Sequence, residues 1–319
     1  MGERGRGTWG VAMRFSVFDT PLAGPIEARL DSAAKAFLDG GGLRVDFSEP
    51  KGEPALVGPD SVSWRVFKNP VSLFIGGVAA VLLEFAEPRV RSGVWDHSTF
   101  RQDPVTRLKR TGLAAMVTVY GARSVAEQMI EGVNRRHARV AGATPSGEPY
   151  SATDPELLRW VQATASYGFL EAYSAYVSPL TDADRNRYYA ESQASAALYG
   201  AAGAPASLDE QKALFARMLP RLEPSGIVFE FLQIMKKAPA LPQPLQLSQH
   251  SFVRAAVDIT PPEVRAILGL GRRYGLRPFE ARVVRRMGRR ADRIVLRSAP
   301  AAQACRRLGL PEDYLYRPC

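Results

Sequence analysis

Apolar positions recur at helical spacing along most of the chain. Between Ser124 and Gly142, Ala126, Ile130, Val133, His137, Val140 and Ala141 fall on one side at about 100° per residue, with Arg135 and Arg139 opposite. A Ser124-x-x-Glu127 capping pattern and the closing glycine predict one helix across this stretch. Asp103-Pro104, an N-cap residue followed by proline at the first helical position, predicts another that runs to Met116. Asp154-Pro155 starts a helix carrying Leu157, Leu158, Val161, Phe169, Leu170 and Tyr173; Thr181-Asp-Ala-Asp184 starts one towards Ala197; Ser207-Leu-Asp-Glu210 caps one that carries Leu214, Phe215 and Met218.

Val71 to Leu83 is an uncharged run of 13 residues, too short to span a bilayer and suited to a buried helix in which Gly76 and Gly77 permit close packing. Alternating strand patterns are scarce. The best, Leu43 to Phe47 and Ser61 to Phe67, predict at most a small peripheral hairpin. The fold class is mainly α.

Length and charge refine this picture. A chain of 319 residues supports a sizeable core, divided here into an N-terminal extension (1–60), a helical core (61–240) and a basic helical C-terminal region (241–319), with the Pro-rich Ala238 to Pro244 as a linker, all in one globular unit. The net charge of +10 is concentrated: between Val264 and Arg307 thirteen arginines face only Glu280 and Asp292, a local +11. Arg282, Arg285, Arg286, Arg289, Arg290 and Arg293 recur at helical spacing, a solvated helix face that suits an acidic protein partner or a homo-oligomer contact. Clustered arginine also attracts phosphate, of a nucleic acid or of an anionic membrane; no aromatic residues are interleaved between Arg282 and Arg293 for base stacking, so a nucleic-acid partner is not expected. Two cysteines make no disulfide framework, and the first residues carry neither an apolar signal region nor a twin arginine, so the expected location is cytoplasmic. A Gly-x-Ser-x-Gly elbow and a Walker loop are both missing, and Gly40-Gly41-Gly42 lacks the context of a dinucleotide site.

The candidate chemistry sits on two of the predicted helices. His137 is the only strong polar group in its apolar stripe; it reads either as a core histidine satisfied by a carbonyl or a water, or as an axial ligand to a heme, whose flat face suits a hydrophobic wall. Arg107, Arg110 and Thr111 crowd one arc of the Asp103 helix, with Ala114 leaving room beside them; a solvated basic face is the plainer reading. His97 reads as structural, its tautomer fixed by Asp96 or Ser98 in a buried polar network between helices, rather than as a second iron ligand. His250 lies in a polar stretch and is given no function.

The run Leu83 to Phe100, with Glu87-Pro88, Gly93 and Asp96-His97-Ser98, then Asp103-Pro104-x-x-Arg107-x-x-Arg110-Thr111, Val119-Tyr-Gly121, Arg136-His137-Ala-Arg-Val-Ala-Gly142, Gly147-x-x-Tyr150-x-Ala152-x-Asp154-Pro155 and Leu158-x-Trp160-Val161, resembles the MpaB-type oxygenase family, which includes rubber oxygenase. The resemblance covers roughly residues 60 to 240. It implies a globin-like helical core with additional N- and C-terminal helices, binding heme b (iron protoporphyrin IX) through His137 as proximal ligand, with Arg107, Arg110, Thr111 and Arg136 also at the cofactor. Arg110 and Thr111 are the catalytic candidates. Arg110 departs from the lysine of rubber oxygenase; arginine stays protonated, so it suits hydrogen bonding above the ring or to a propionate rather than ligation. Glu87 stands where many relatives have histidine, which leaves its role open. The implied function is a heme-dependent oxidoreductase, an oxygenase acting on a small hydrophobic substrate with dioxygen or peroxide. The alternatives are heme-dependent dehydrogenase or peroxidase chemistry, or a non-enzymatic heme or gas-binding module.

Overall fold

The computed structural model describes Asp31 and residues 44–243 and 245–317. Its helices are α1 (Val62–Phe67), α2 (Pro70–Glu84), α3 (Pro88–His97), α4 (Pro104–Tyr120), α5 (Arg123–His137), α6 (Pro155–Tyr176), α7 (Asp182–Glu191), α8 (Gln193–Leu198), α9 (Leu208–Met218), α10 (Gly226–Lys237), α11 (Gln249–Ile259), α12 (Pro262–Ile267), α13 (Pro278–Ala291) and α14 (Pro300–Arg307). Among the described residues the one sheet is the antiparallel hairpin β1 (Ala141–Ala143) and β2 (Pro149–Ser151). The fold is mainly all-α, as the periodicity predicts.

Most predicted caps form. The Asp103 side chain accepts from Thr106 N, Thr181 and Asp184 make a reciprocal capping box, and Ser207 accepts from Glu210 N. Four expectations are corrected. Ser124 caps nothing, because its N–H and hydroxyl both donate to Glu53, at 2.6 and 3.0 Å; α5 starts at Arg123 and stops at His137, so that Gly142 lies in the hairpin. Ser61 to Phe67 is no strand: Ser61 accepts from Trp64 N and opens α1. The helix expected from Thr181 to Ala197 is broken at Ser192 into α7 and α8. Ala238, Ala240 and Leu241 are buried, and Gln249 Nε2 donates to the Met235 and Ala238 carbonyls at 2.7 and 2.6 Å, so this segment is a packed corner rather than a linker. Gly40 to Leu43, Pro244 and Cys319 lie outside the described residues, and no strand forms over 44–47.

The centre of the molecule is the crossing of α2 and α6. A Cβ on Gly76 would lie 2.8 Å from the Gly168 carbonyl oxygen, and one on Gly168 would lie 2.5 Å from that of Gly76. The two backbones therefore touch, which only glycine at both positions allows. Around this crossing the 13-residue apolar run is buried as expected: Val71, Ile75, Ala79, Leu82 and Leu83 are fully inaccessible. α11 lies along α2, and α13 packs on both α2 and α6. Asn69 fixes that end, its Oδ1 accepting from Val71 N and Ser72 N while its Nδ2 donates to the Gly288 carbonyl at 2.9 Å. No single helix among the described residues is long and apolar enough to cross a membrane.

Candidate functional site

Three helix ends converge on a set of ionisable groups. Glu84 is the last residue of α2, Arg107 lies in the first turn of α4, and His137 is the last residue of α5. Arg107 is in electrostatic contact with both Glu84 and His137. All three are only partly exposed. Burial pushes the Glu84 carboxyl from its ordinary 4.5 up to about 7, against the pull of Arg107. Burial also pushes the Arg107 guanidinium down, opposed by Glu84. His137 is lowered by burial first and by Arg107 second, so its imidazole is neutral at pH 7. Burial thus dominates the titration of all three groups.

An apolar stripe leads along α2 to Glu84. Leu73, Gly77, Val81 and Glu84 share one partly exposed stripe of α2, and Val161, Ala165 and Phe169 share one on α6. The two stripes adjoin, since a Cβ on Gly77 would meet the Phe169 ring at 3.9 Å. On α4, Ala114 and Thr118 continue the arc of Arg107, and the Thr118 hydroxyl lies 3.0 Å from that of Tyr199.

His137 itself is uncommitted. Its Nδ1 is buried with no hydrogen-bond partner, and among the described residues no hydrogen bond engages the ring. A neutral imidazole with both nitrogens unused, beside a fixed cation, fits a heme whose iron takes a histidine and whose propionates need an arginine. Among the described residues no group of three or more His, Cys, Asp or Glu could hold a free metal ion, so an iron at this position would have to be brought by its macrocycle.

The sequence candidates divide by exposure. Arg107 and His137 are brought together. Arg110 is exposed, within electrostatic reach of the exposed Asp103 carboxylate; Thr111 is exposed, its hydroxyl donating to the Arg107 carbonyl at 2.9 Å; Arg136 is exposed. The expected buried network around His97 is not found: His97 is exposed and its Nε2 shares a 3.0 Å hydrogen bond with the Tyr150 hydroxyl, pinning β2 to α3. Asp96 is exposed, and Ser98 accepts from Phe100 N. Glu87 is the N-cap of α3, accepting from Val90 N at 2.8 Å and from Arg89 Nε at 2.7 Å, so its carboxylate is occupied structurally. His250 is exposed on α11.

Glu84 was not among the sequence candidates. In sequence it only ends an apolar run, and the one signal was its register with Gly77 and Val81, seven and three residues before.

Residues 64–293 match the family model described as ER-bound oxygenase mpaB/B'/Rubber oxygenase, catalytic domain. No curated protein and no solved structure matches the chain.

Proposed function

This chain belongs to the mpaB/rubber oxygenase catalytic-domain family, and from that premise we propose that it is a heme b-dependent oxygenase acting on a small hydrophobic substrate, with His137 as the iron's protein ligand. The observation that carries this reading is the uncommitted, neutral His137 imidazole beside Arg107, and the partly exposed apolar stripes of α2 and α6 are the walls that this reading gives the cofactor recess. When bound, heme would supply the dioxygen chemistry that no side chain here can perform.

The chain's own residues have separable tasks. His137 holds the cofactor, and the stripes of α2 and α6 exclude water and accept an apolar substrate. Arg107 is the fixed cation of the recess and stabilises negative charge that develops there. Glu84 can hold a proton at its carboxyl near neutral pH and release it when the recess becomes more positive, which makes it the acid–base group of the site. Arg110 and Thr111 belong to the rim, where Arg110 can meet a propionate or an incoming substrate. Arg107 thus takes the charge-stabilising role that the family resemblance implied for Arg110.

Absorption spectroscopy of the purified protein, before and after addition of hemin, is the direct test. A Soret band that His137→Ala abolishes or shifts is expected, with His97→Ala leaving its position unchanged. A protein that stays colourless with added hemin would sink the assignment. Oxygen consumption with alkene, isoprenoid and aromatic substrates then separates an oxygenase from a protein that only binds heme.

A further inference from the structure

The arginines of α13 form an outward face that the proposed oxygenase site does not use. Val284 and Gly288 are buried, and Ala281, Met287 and Ala291 are partly buried, so the apolar side of this helix is already consumed by the core. Gly288 is pressed against the end of α6, where a Cβ would meet the Tyr176 carbonyl oxygen at 2.4 Å. Opposite stand Arg282, Arg286, Arg289 and Arg290, with Arg285 at the flank and Arg293 just past the helix end, all exposed. No ion pair engages any of these six among the described residues, and the groove between their rows is lined by nothing but these side chains. The helix's one acid, Glu280, is turned away to the Arg277 N–H and Arg254.

Phe279 lies in the same stripe, seven residues before Arg286 and therefore almost directly in line with it, and is 74% exposed. An aromatic ring left in water at the head of a row of unpaired cations has a single kind of surface that satisfies both. Phosphates answer the guanidinium groups and an acyl boundary takes the ring. The groove between the arginine rows is shallow and open to solvent, lined by guanidinium groups alone, so the face has no apolar centre for a protein interface.

We propose that α13 is a docking surface for an anionic lipid bilayer, on which the protein lies by electrostatic adsorption with Phe279 as its apolar anchor. Charge alone suits an acidic protein partner as well as an anionic membrane, and the exposed ring is the reason for choosing the membrane. The Gly288 carbonyl is bonded to Asn69 at the start of α2, whereas Glu84 ends that helix. Fifteen residues at about 1.5 Å each put roughly 20 Å along α2 between the Gly288 contact and Glu84, so the docking face and the Glu84, Arg107 and His137 cluster lie at opposite ends of α2.

Flotation of the full chain with phosphatidylcholine vesicles, with and without phosphatidylserine, tests this. Binding is expected only with the anionic lipid and should weaken steeply between low and high salt. The triple variant Arg286→Gln, Arg289→Gln, Arg290→Gln should bind on the order of a hundredfold more weakly, at about fivefold per arginine. Phe279→Ala should lose roughly tenfold at unchanged charge. All four positions are exposed, and an unchanged melting curve shows that the fold is intact. Equal binding to neutral vesicles, or no loss in the triple variant, overturns the proposal. So does tighter binding to duplex DNA or polyglutamate than to anionic vesicles, with Phe279→Ala without effect, which would assign the face to a nucleic acid or an acidic protein.

Discussion

Glu84 and Arg107 face each other without the short hydrogen bond that would let them ionise freely, so the protonation of one governs the other. A carboxyl whose pKa rises from 4.5 to about 7 on folding binds its proton more tightly in the native state. Its contribution to stability is therefore greatest below about pH 4.5 and falls as pH rises to about 7, by about 2 kcal/mol after allowance for partial solvent access. His137 works in the opposite sense. Its lowered pKa means that the unfolded chain takes up the proton first, so stability is lost as pH falls below the ordinary histidine value of 6.5. Urea denaturation of the heme-free protein across pH 5 to 8 should show the Glu84→Gln variant gaining on the parent as pH rises, with the difference level above about pH 7.5. Parallel curves would show that Glu84 titrates as an ordinary surface carboxyl. Arg107→Gln should raise Glu84 further and let His137 move back towards its ordinary value, which an NMR titration of the imidazole reads directly.

At the scale of elements, α2 and α6 stand or fall with their glycine contact. Gly168→Ala would put a methyl group 2.5 Å from a carbonyl oxygen and about 3.0 Å from the Ala80 nitrogen, with no flexible side chain to move aside. Overpacking of backbone on backbone should cost about 2–3 kcal/mol or more, measured as a lower denaturant midpoint, whereas Gly112→Ala on α4 meets nothing within 4 Å and should be neutral or slightly stabilising. Gly76 was legible as a close-packing residue because it interrupts an apolar run; Gly168 was not, since only the crossing partner, 92 positions earlier, gives it meaning. The caps show the same division. Asp103, Thr181 and Ser207 are satisfied by neighbours three residues on and could be read locally, but Ser124 is taken by Glu53 across 71 residues, which no local pattern contains. The site follows suit. His137 stood out as the lone imidazole of an apolar stripe, and Arg107 as one of three crowded polar residues. Which of Arg107 and Arg110 turns inward, and that Glu84 meets it, depends on how three helix ends are brought together.

At the scale of the whole molecule, we propose that the C-terminal region folds as one unit with the core. Domain boundaries fall where few contacts cross, yet Phe252, Val253, Ala255 and Ala256 of α11 are fully buried, with the Phe252 ring 6.3 Å from Phe74 on α2. The family match runs through this boundary to residue 293. Beyond it, buried Arg307 at the end of α14 donates to the Phe47 and Glu53 carbonyls at 2.8 Å each, tying the first continuous described segment to the last helix. A fragment ending at residue 240 would uncover the α2 face under α11 and the glycine contact of α13 on α6, and it would strand the Met235 carbonyl that Gln249 now satisfies. Each fully buried apolar side chain lost is worth roughly 1.5–3 kcal/mol, so Phe252 and Val253 alone approach a large part of the net stability of a typical domain. The 1–240 fragment should therefore show no cooperative thermal transition, bind hydrophobic dyes and fail to take up hemin, even though His137, Arg107 and Glu84 are all present in it. A fragment that melts cooperatively would mean that α11 to α14 only decorate a self-sufficient core. In that case the arginine face of α13 could be removed whole without touching the oxygenase site.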